Sequence, residues 1–76
     1  MERLRKNSGA IAEGRVSKGP DGYRAAISFE NTAVSLTEGP MTFARIIEAR
    51  GWIIDTAANY GFESGDFEIR EDLSGA

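Results

Sequence analysis

The most regular pattern in the chain is Tyr23-Arg24-Ala25-Ala26-Ile27-Ser28-Phe29-Glu30. Its odd-numbered residues are apolar or aromatic, whereas its even-numbered residues are mostly polar. Successive side chains of a β-strand point to opposite faces, so this alternation predicts a strand with one buried face and one wet face.

The segments on either side predict a three-stranded meander. Residues 10–17 alternate more weakly, which is typical of an edge strand. The link Lys18-Gly19-Pro20-Asp21-Gly22 favours a turn, because proline fixes one backbone dihedral and glycine accepts positive φ. Asn31-Thr32 predicts a second tight turn, and we expect a third strand over residues 33–36.

A helix is predicted over residues 40–60. Thr37-Glu38-Gly39-Pro40 offers a capping residue, an acid and a proline at the first helical position. Gly61 followed by Phe62 favours a left-handed cap with the aromatic ring folded back on the last turn. At about 100° per residue, one apolar side of this helix is expected to cover the sheet. Its main members are Phe43, Ile47, Ile54 and Ala58.

Ser64-Gly65 predicts a further turn, and alternation over residues 66–71 predicts a fourth strand. The expected fold class is therefore α+β: a three-stranded antiparallel meander, one helix packed on one face and a C-terminal fourth strand, in the order β-β-β-α-β. We expect residues 10–72 to form a single domain, because 76 residues allow only one core. Residues 1–9 are expected to be a flexible basic lead-in and residues 73–76 a frayed C-terminus.

The composition argues against catalysis. The chain has no histidine and no cysteine, which removes the common general base, the thiolate nucleophile and the best transition-metal ligands. A serine or threonine nucleophile would need an activating lysine, and Lys6 and Lys18 fall in the predicted tail and turn. We therefore expect a protein that is not an enzyme and binds neither a cofactor nor a metal.

Composition also bounds the setting in which the protein works. Without cysteine there is no disulfide framework, and no run of 18 apolar residues occurs, so we expect a cytoplasmic protein with no membrane contact. A core of this size is marginal, which leaves a monomer and a homodimer as alternatives.

The formal net charge of −3 is unevenly distributed. Residues 1–24 carry six cations against three anions, whereas residues 55–76 carry six anions against Arg70 alone. A nucleic-acid-binding protein needs a dominant basic face, so we expect no direct nucleic-acid contact but a protein partner with a basic surface. The predicted contact residues are Glu48, Trp52, Asp55, Glu63, Asp66, Glu68, Glu71 and Asp72.

Trp52 has two open interpretations. In a continuous helix it lies on the polar side with Asp55, where an exposed tryptophan is a typical interface anchor. If the helix breaks at Gly51, Trp52 instead packs into the core. Arg50, which a straight helix places on the apolar side, favours the break.

The element order, the short length, the acidic balance and the missing catalytic set resemble small anti-CRISPR proteins of phages and prophages, which inhibit type I CRISPR complexes. The resemblance spans residues 10–72 and is one of size, order and charge. It implies an inhibitor whose carboxylates occupy the basic groove of the effector complex, where target-DNA phosphates normally lie. The implied phosphate mimics are Glu63, Asp66, Glu68, Glu71 and Asp72, with Glu48 and Asp55 extending the patch.

A second resemblance implies a different function. Residues 23–29, a short hairpin and the segment Phe43-Ala44-Arg45-Ile46-Ile47 are similar to the three-strand-plus-helix DNA-binding arm of phage-type integrases. That module implies DNA contact through the exposed sheet face. The residues on this face are Glu13, Arg15, Arg24, Ser28 and Glu30. A small regulatory or antitoxin-type module is a further alternative.

Overall fold

The computed structural model describes residues 9–73. Five elements follow one another: β1 (Ile11–Gly19), β2 (Gly22–Glu30), β3 (Ser35–Phe43), α1 (Ile46–Ala58) and β4 (Glu68–Asp72). The strands form one sheet in the order β3-β2-β1-β4, and α1 packs mainly over β2. The predicted α+β class is confirmed. The predicted lead-in, apart from Gly9, and the predicted frayed end, apart from Leu73, lie outside the described residues.

β2 shows the predicted alternation, with Ala25, Ile27 and Phe29 buried beneath the helix. β1 pairs with β2 along its whole length, up to Gly19 opposite Gly22, so the turn between them is as tight as predicted. The prediction that β1 lies at an edge is wrong. β4 pairs with β1 on its other side, in parallel, and so makes β1 an internal strand.

The predicted helix start is also wrong. β3 runs to Phe43, and Gly39 and Pro40 lie inside it, near an irregularity in its register with β2. β3 is an edge strand, where proline is tolerated because no neighbour needs its missing N–H. The helix begins at Ile46, and the Arg45 N–H donates to the Glu48 carboxylate at 3.2 Å.

The end of the helix is closed by the predicted glycine. α1 ends at Ala58, two residues before the predicted end, and Gly61 has a φ of 84°. The Phe62 N–H then donates to the Ala57 carbonyl at 3.0 Å, a pairing typical of a left-handed helix cap. The Phe62 ring is buried and lies 5.7 Å from the Phe29 ring. The predicted cap is therefore confirmed.

The helix buries a different side from the one predicted. Ala49, Ile53 and Ala57 are fully buried, whereas Ile47 and Ile54 are exposed. The cause lies in the sheet. A Cβ added at Gly14 would lie 2.7 Å from Cγ2 of Ile53, so the missing side chain makes room for Ile53 against β1. Ala49 and Ala57 are small enough to let the helix backbone approach the sheet closely.

Candidate protein-binding surfaces

One end of the domain gathers carboxylates from four segments of the chain. β1 and β4 begin at this end and β2 ends there, because β4 is parallel to β1 and β2 is antiparallel to it. The sheet register places Ile11 beside Glu30 and Glu13 beside Glu68, and the loop that precedes β4 adds two more acids. We call this group the acidic end. It consists of Glu13, Glu30, Glu63, Asp66 and Glu68.

The five carboxylates of the acidic end have different roles. Glu13 is held by two arginines, with Oε2 at 2.8 Å from Nε of Arg70 and Oε1 at 3.6 Å from Nη2 of Arg15. Asp66 shapes the loop, since its Oδ2 accepts from the Glu63 N–H and its own N–H donates to the Glu63 carbonyl, both at 2.8 Å. The Glu30, Glu63 and Glu68 residues are exposed and leave their charge available to a partner.

Glu71 and Asp72 lie at the other end of β4. Glu71 points to the helix side of the sheet, where its carboxylate bonds to the Arg50 guanidinium. Asp72 stands beside Ser17 and points to the opposite face, as the alternation of a strand requires. The predicted patch on β4 is therefore divided, and Arg50 has a partner that makes a helix break unnecessary.

A third group of predicted residues lies on the side of α1 that is nearer to β3. Glu48, Trp52 and Asp55 share one side of α1, as predicted for a continuous helix, and α1 does continue through Gly51. The Trp52 ring, however, is half-buried, with its centroid 6.2 Å from that of Phe43 on β3. Both interpretations of Trp52 need correction, because the helix is unbroken and the ring is only partly exposed.

The sheet order separates this helix group from the acids of the fourth strand. β3 and β4 are opposite edges of the sheet, three strand spacings or about 14 Å apart. The structure therefore brings together Glu63, Asp66 and Glu68 but does not join them to Glu48 and Trp52. Local sequence patterns did not group Glu13 and Glu30 with these acids, because the pairing of β1 with β4 leaves no local signal.

The face of the sheet opposite the helix carries both signs of charge. Glu13, Arg15, Arg24, Ser28 and Glu30 do share this face, because they alternate with the buried residues of β1 and β2. β4 adds one arginine and two acids to the same face. A dominant basic surface for nucleic acid is therefore not formed by residues 9–73.

Little else in the described part of the chain suggests a ligand site. A shallow depression beside the acidic end is lined by Gly9, Ile11, Glu30, Asn31 and Thr32. Across residues 9–73, no three acidic side chains converge in a way that could hold a metal ion. The helix in this range is too short and too polar to cross a membrane.

No family model, no curated protein and no solved structure matches the chain. The acidic end gathers acids from four segments of the chain, and its exposed carboxylates can bind a surface that presents lysine and arginine side chains.

Proposed function

We propose that the chain is a non-catalytic protein-binding module that presents its acidic end to a basic surface of its partner. The observation that carries this proposal is the exposure of Glu30, Glu63 and Glu68 at one end of the domain. These three residues come from β2, the loop after α1 and β4, so only the fold brings them to the same end.

The helix adds to the negative potential there. α1 ends beside the loop that carries Glu63, and the aligned peptide dipoles of a helix place a partial negative charge at its C-terminus. Its last turn contains no basic residue that would offset this charge. Like charges held together are unfavourable for folding, so their concentration is better explained by a partner than by stability.

The composition supports a binding role. The whole chain lacks histidine and cysteine, the residues most often used for acid-base and nucleophilic chemistry. Contacts between exposed carboxylates and lysine or arginine are charge-assisted, so we expect fast association that weakens as salt is added.

The specific form that we propose is inhibition of a type I CRISPR complex in the cytoplasm of a host cell. Its support is the resemblance to anti-CRISPR proteins in size, element order and acidic balance. In this form, the carboxylates of the acidic end take the place of target-DNA phosphates in the basic groove of the complex.

The test is competition between the protein and target DNA for purified type I complexes. Glu63→Lys and Glu68→Lys should each weaken inhibition about tenfold at physiological salt, because each reverses a charge at the contact. The matched control is Asp21→Lys, which makes the same charge change in the exposed β1–β2 turn at the far end of the sheet and should inhibit normally.

The outcomes separate the parts of the proposal. Inhibition that Glu63→Lys and Glu68→Lys leave intact would exclude the acidic end as the contact. If the unaltered protein inhibits none of the complexes, the CRISPR form is wrong. A direct gel shift of DNA that is lost on substituting Arg15 and Arg24 would instead favour the DNA-binding arm.

A further inference from the structure

The helix carries a second apolar side that the rest of residues 9–73 leaves partly exposed. Ile47 is 68% exposed and Ile54 is 36% exposed, and Ala58 is exposed as well. Between them, a Cβ added at Gly51 would meet no atom within 4 Å. These four residues follow one another at spacings of four, three and four, so they form one continuous strip along the helix. We call Ile47, Gly51, Ile54 and Ala58 the outer stripe.

The position of the outer stripe explains why it stays exposed. At about 100° per residue, it is turned by roughly 130° from Ile53, which is fully buried against the sheet. Arg50 lies between the buried side and the outer stripe and bonds to Glu71. The outer stripe therefore faces away from the sheet, on the side of α1 that is nearer to β4.

We propose that a second copy of this chain covers the outer stripe, with the two α1 helices side by side and parallel about a twofold axis. Alternating spacings of three and four are the apolar pattern of a two-helix coiled coil. In that pattern Gly51 occupies a central core position, where the absence of a side chain lets the two backbones approach closely.

The charges beside the outer stripe select both the occupant and its direction. In a parallel pair, the residue just before one core position faces the residue five positions later on the other helix. Arg50 of one copy then faces Asp55 of the other, and symmetry repeats the pair. An antiparallel pair would instead place Glu48 against Asp55, and these like charges repel. The guanidinium has enough donors to keep its bond to Glu71 as well.

The expected dimer is weak. A contact along a 13-residue helix falls at the low end of the size range for specific interfaces, below about 1,200 Å² in total. We therefore expect a dissociation constant on the order of 100 μM, since small interfaces have little surplus over the cost of association. The parallel arrangement also places both acidic ends on the same side of the dimer, where one extended partner could contact both.

Sedimentation equilibrium of the protein alone, from about 10 μM to 1 mM, tests the contact. The unaltered chain should shift from monomer to dimer over this range, whereas Ile47→Glu and Ile54→Glu should remain monomeric and folded by circular dichroism. Ile11→Glu is the matched control, because Ile11 is 65% exposed but lies on β1, and it should still dimerise. A monomer at 1 mM, or a dimer that persists in Ile47→Glu, would overturn the proposal.

Cysteine cross-linking tests the direction, since the chain has no cysteine of its own. Parallel helices place the two copies of residue 58 side by side, so Ala58→Cys should form a disulfide dimer much faster than Thr32→Cys, an exposed control. Antiparallel helices would instead favour a mixed disulfide between Ile47→Cys and Ala58→Cys, which would overturn the parallel arrangement. Neither measurement uses the acidic end, so their failure is distinct from failure of the proposed function.

Discussion

The Arg50 guanidinium on α1 bonds to the Glu71 carboxylate on β4, although the two residues are 21 positions apart in the chain. The bond ties the helix to the strand that completes the sheet beside β1. The bond also explains why Arg50 lies at the margin of the buried side of the helix, because its side chain extends past the core to the Glu71 carboxylate. The two side chains are 43% and 33% exposed, so water screens the interaction in part.

A double-mutant cycle over Arg50→Gln and Glu71→Gln should give a coupling free energy of about 0.5–1 kcal/mol, as expected for a partly exposed ion pair. Urea unfolding at about 10 μM protein measures it where the monomer dominates. The matched pair Arg15 and Glu13, whose atoms are 3.6 Å apart, should couple more weakly. A coupling at Arg15 and Glu13 that equals or exceeds the coupling at Arg50 and Glu71 would contradict this order.

Gly14→Ala should destabilise the domain by about 1–3 kcal/mol, because the new Cβ would lie 2.7 Å from Cγ2 of Ile53 and 3.2 Å from Cγ1 of Ile69. Removing atoms from Ile53 should relieve part of this crowding. We therefore expect the double variant Gly14→Ala/Ile53→Val to lose less stability than the two single variants added together. Strict additivity in urea unfolding would show that the two residues do not touch.

Two glycines at the helix should respond in opposite directions to alanine. Gly51→Ala should raise the free energy of unfolding by about 0.5–1 kcal/mol, because the position is helical and the added Cβ meets nothing within 4 Å. Gly61→Ala should lower it by about 1 kcal/mol, since a φ of 84° is unfavourable for any residue with a Cβ. Thermal unfolding in dilute solution compares both. A stabilising Gly61→Ala would contradict the cap at Gly61, and a destabilising Gly51→Ala would contradict an open helical position at Gly51.

Tyr60 should make stability depend on pH in the alkaline range. Its O–H donates to Oε2 of Glu38 at 2.9 Å and its ring stacks on Phe29. Burial, and then the hydrogen bond and negative charge of Glu38, raise the pKa of Tyr60 above its ordinary value of 10.0. The folded state therefore holds the proton more tightly than the unfolded state does. This stabilisation is fully present below about pH 10 and is lost as the pH rises through the folded-state pKa.

Urea unfolding between pH 8 and pH 11 should therefore show a loss of stability that Tyr60→Phe reduces. The same variant should be about 1 kcal/mol less stable at pH 7, because it leaves Glu38 without its hydrogen-bond donor. Tyr23→Phe serves as the control and should keep the alkaline loss. If both variants keep it equally, Tyr60 is not its source.

The elements that the sequence predicted well depend on neighbours in the chain. Alternation over residues 23–30 predicts a strand because the face on which each side chain lies depends only on its position along that strand. The cap at Gly61 and Phe62 is equally local, since its hydrogen bond spans one helical turn. The helix start was misplaced because proline after a capping residue suits a first helical turn, while Pro40 also suits an edge strand.

The side of the helix that is buried was beyond the reach of a periodicity count. Both Ile53 and Ile54 lie on apolar sides of α1, and the helix alone gives no reason to bury one rather than the other. The choice depends on Gly14, in a strand more than thirty residues away in the chain. The half-burial of Trp52 follows from the same rotation, which brings its ring against Phe43.

Local patterns in the sequence predict the α+β class, the tight β1–β2 turn and the helix cap, and a count along the chain gives the excess of acids in its last third. Strand pairing, which leaves no local pattern, brings Glu63 and Glu68 to the end that carries Glu30 and places Glu71 on the helix side of the sheet, where it bonds to Arg50. This placement follows from the parallel pairing of β4 with β1, which depends on packing between distant residues such as Gly14, Ile53 and Ile69. The number of charges can be counted along the chain, but their arrangement on the surface depends on which strands become neighbours.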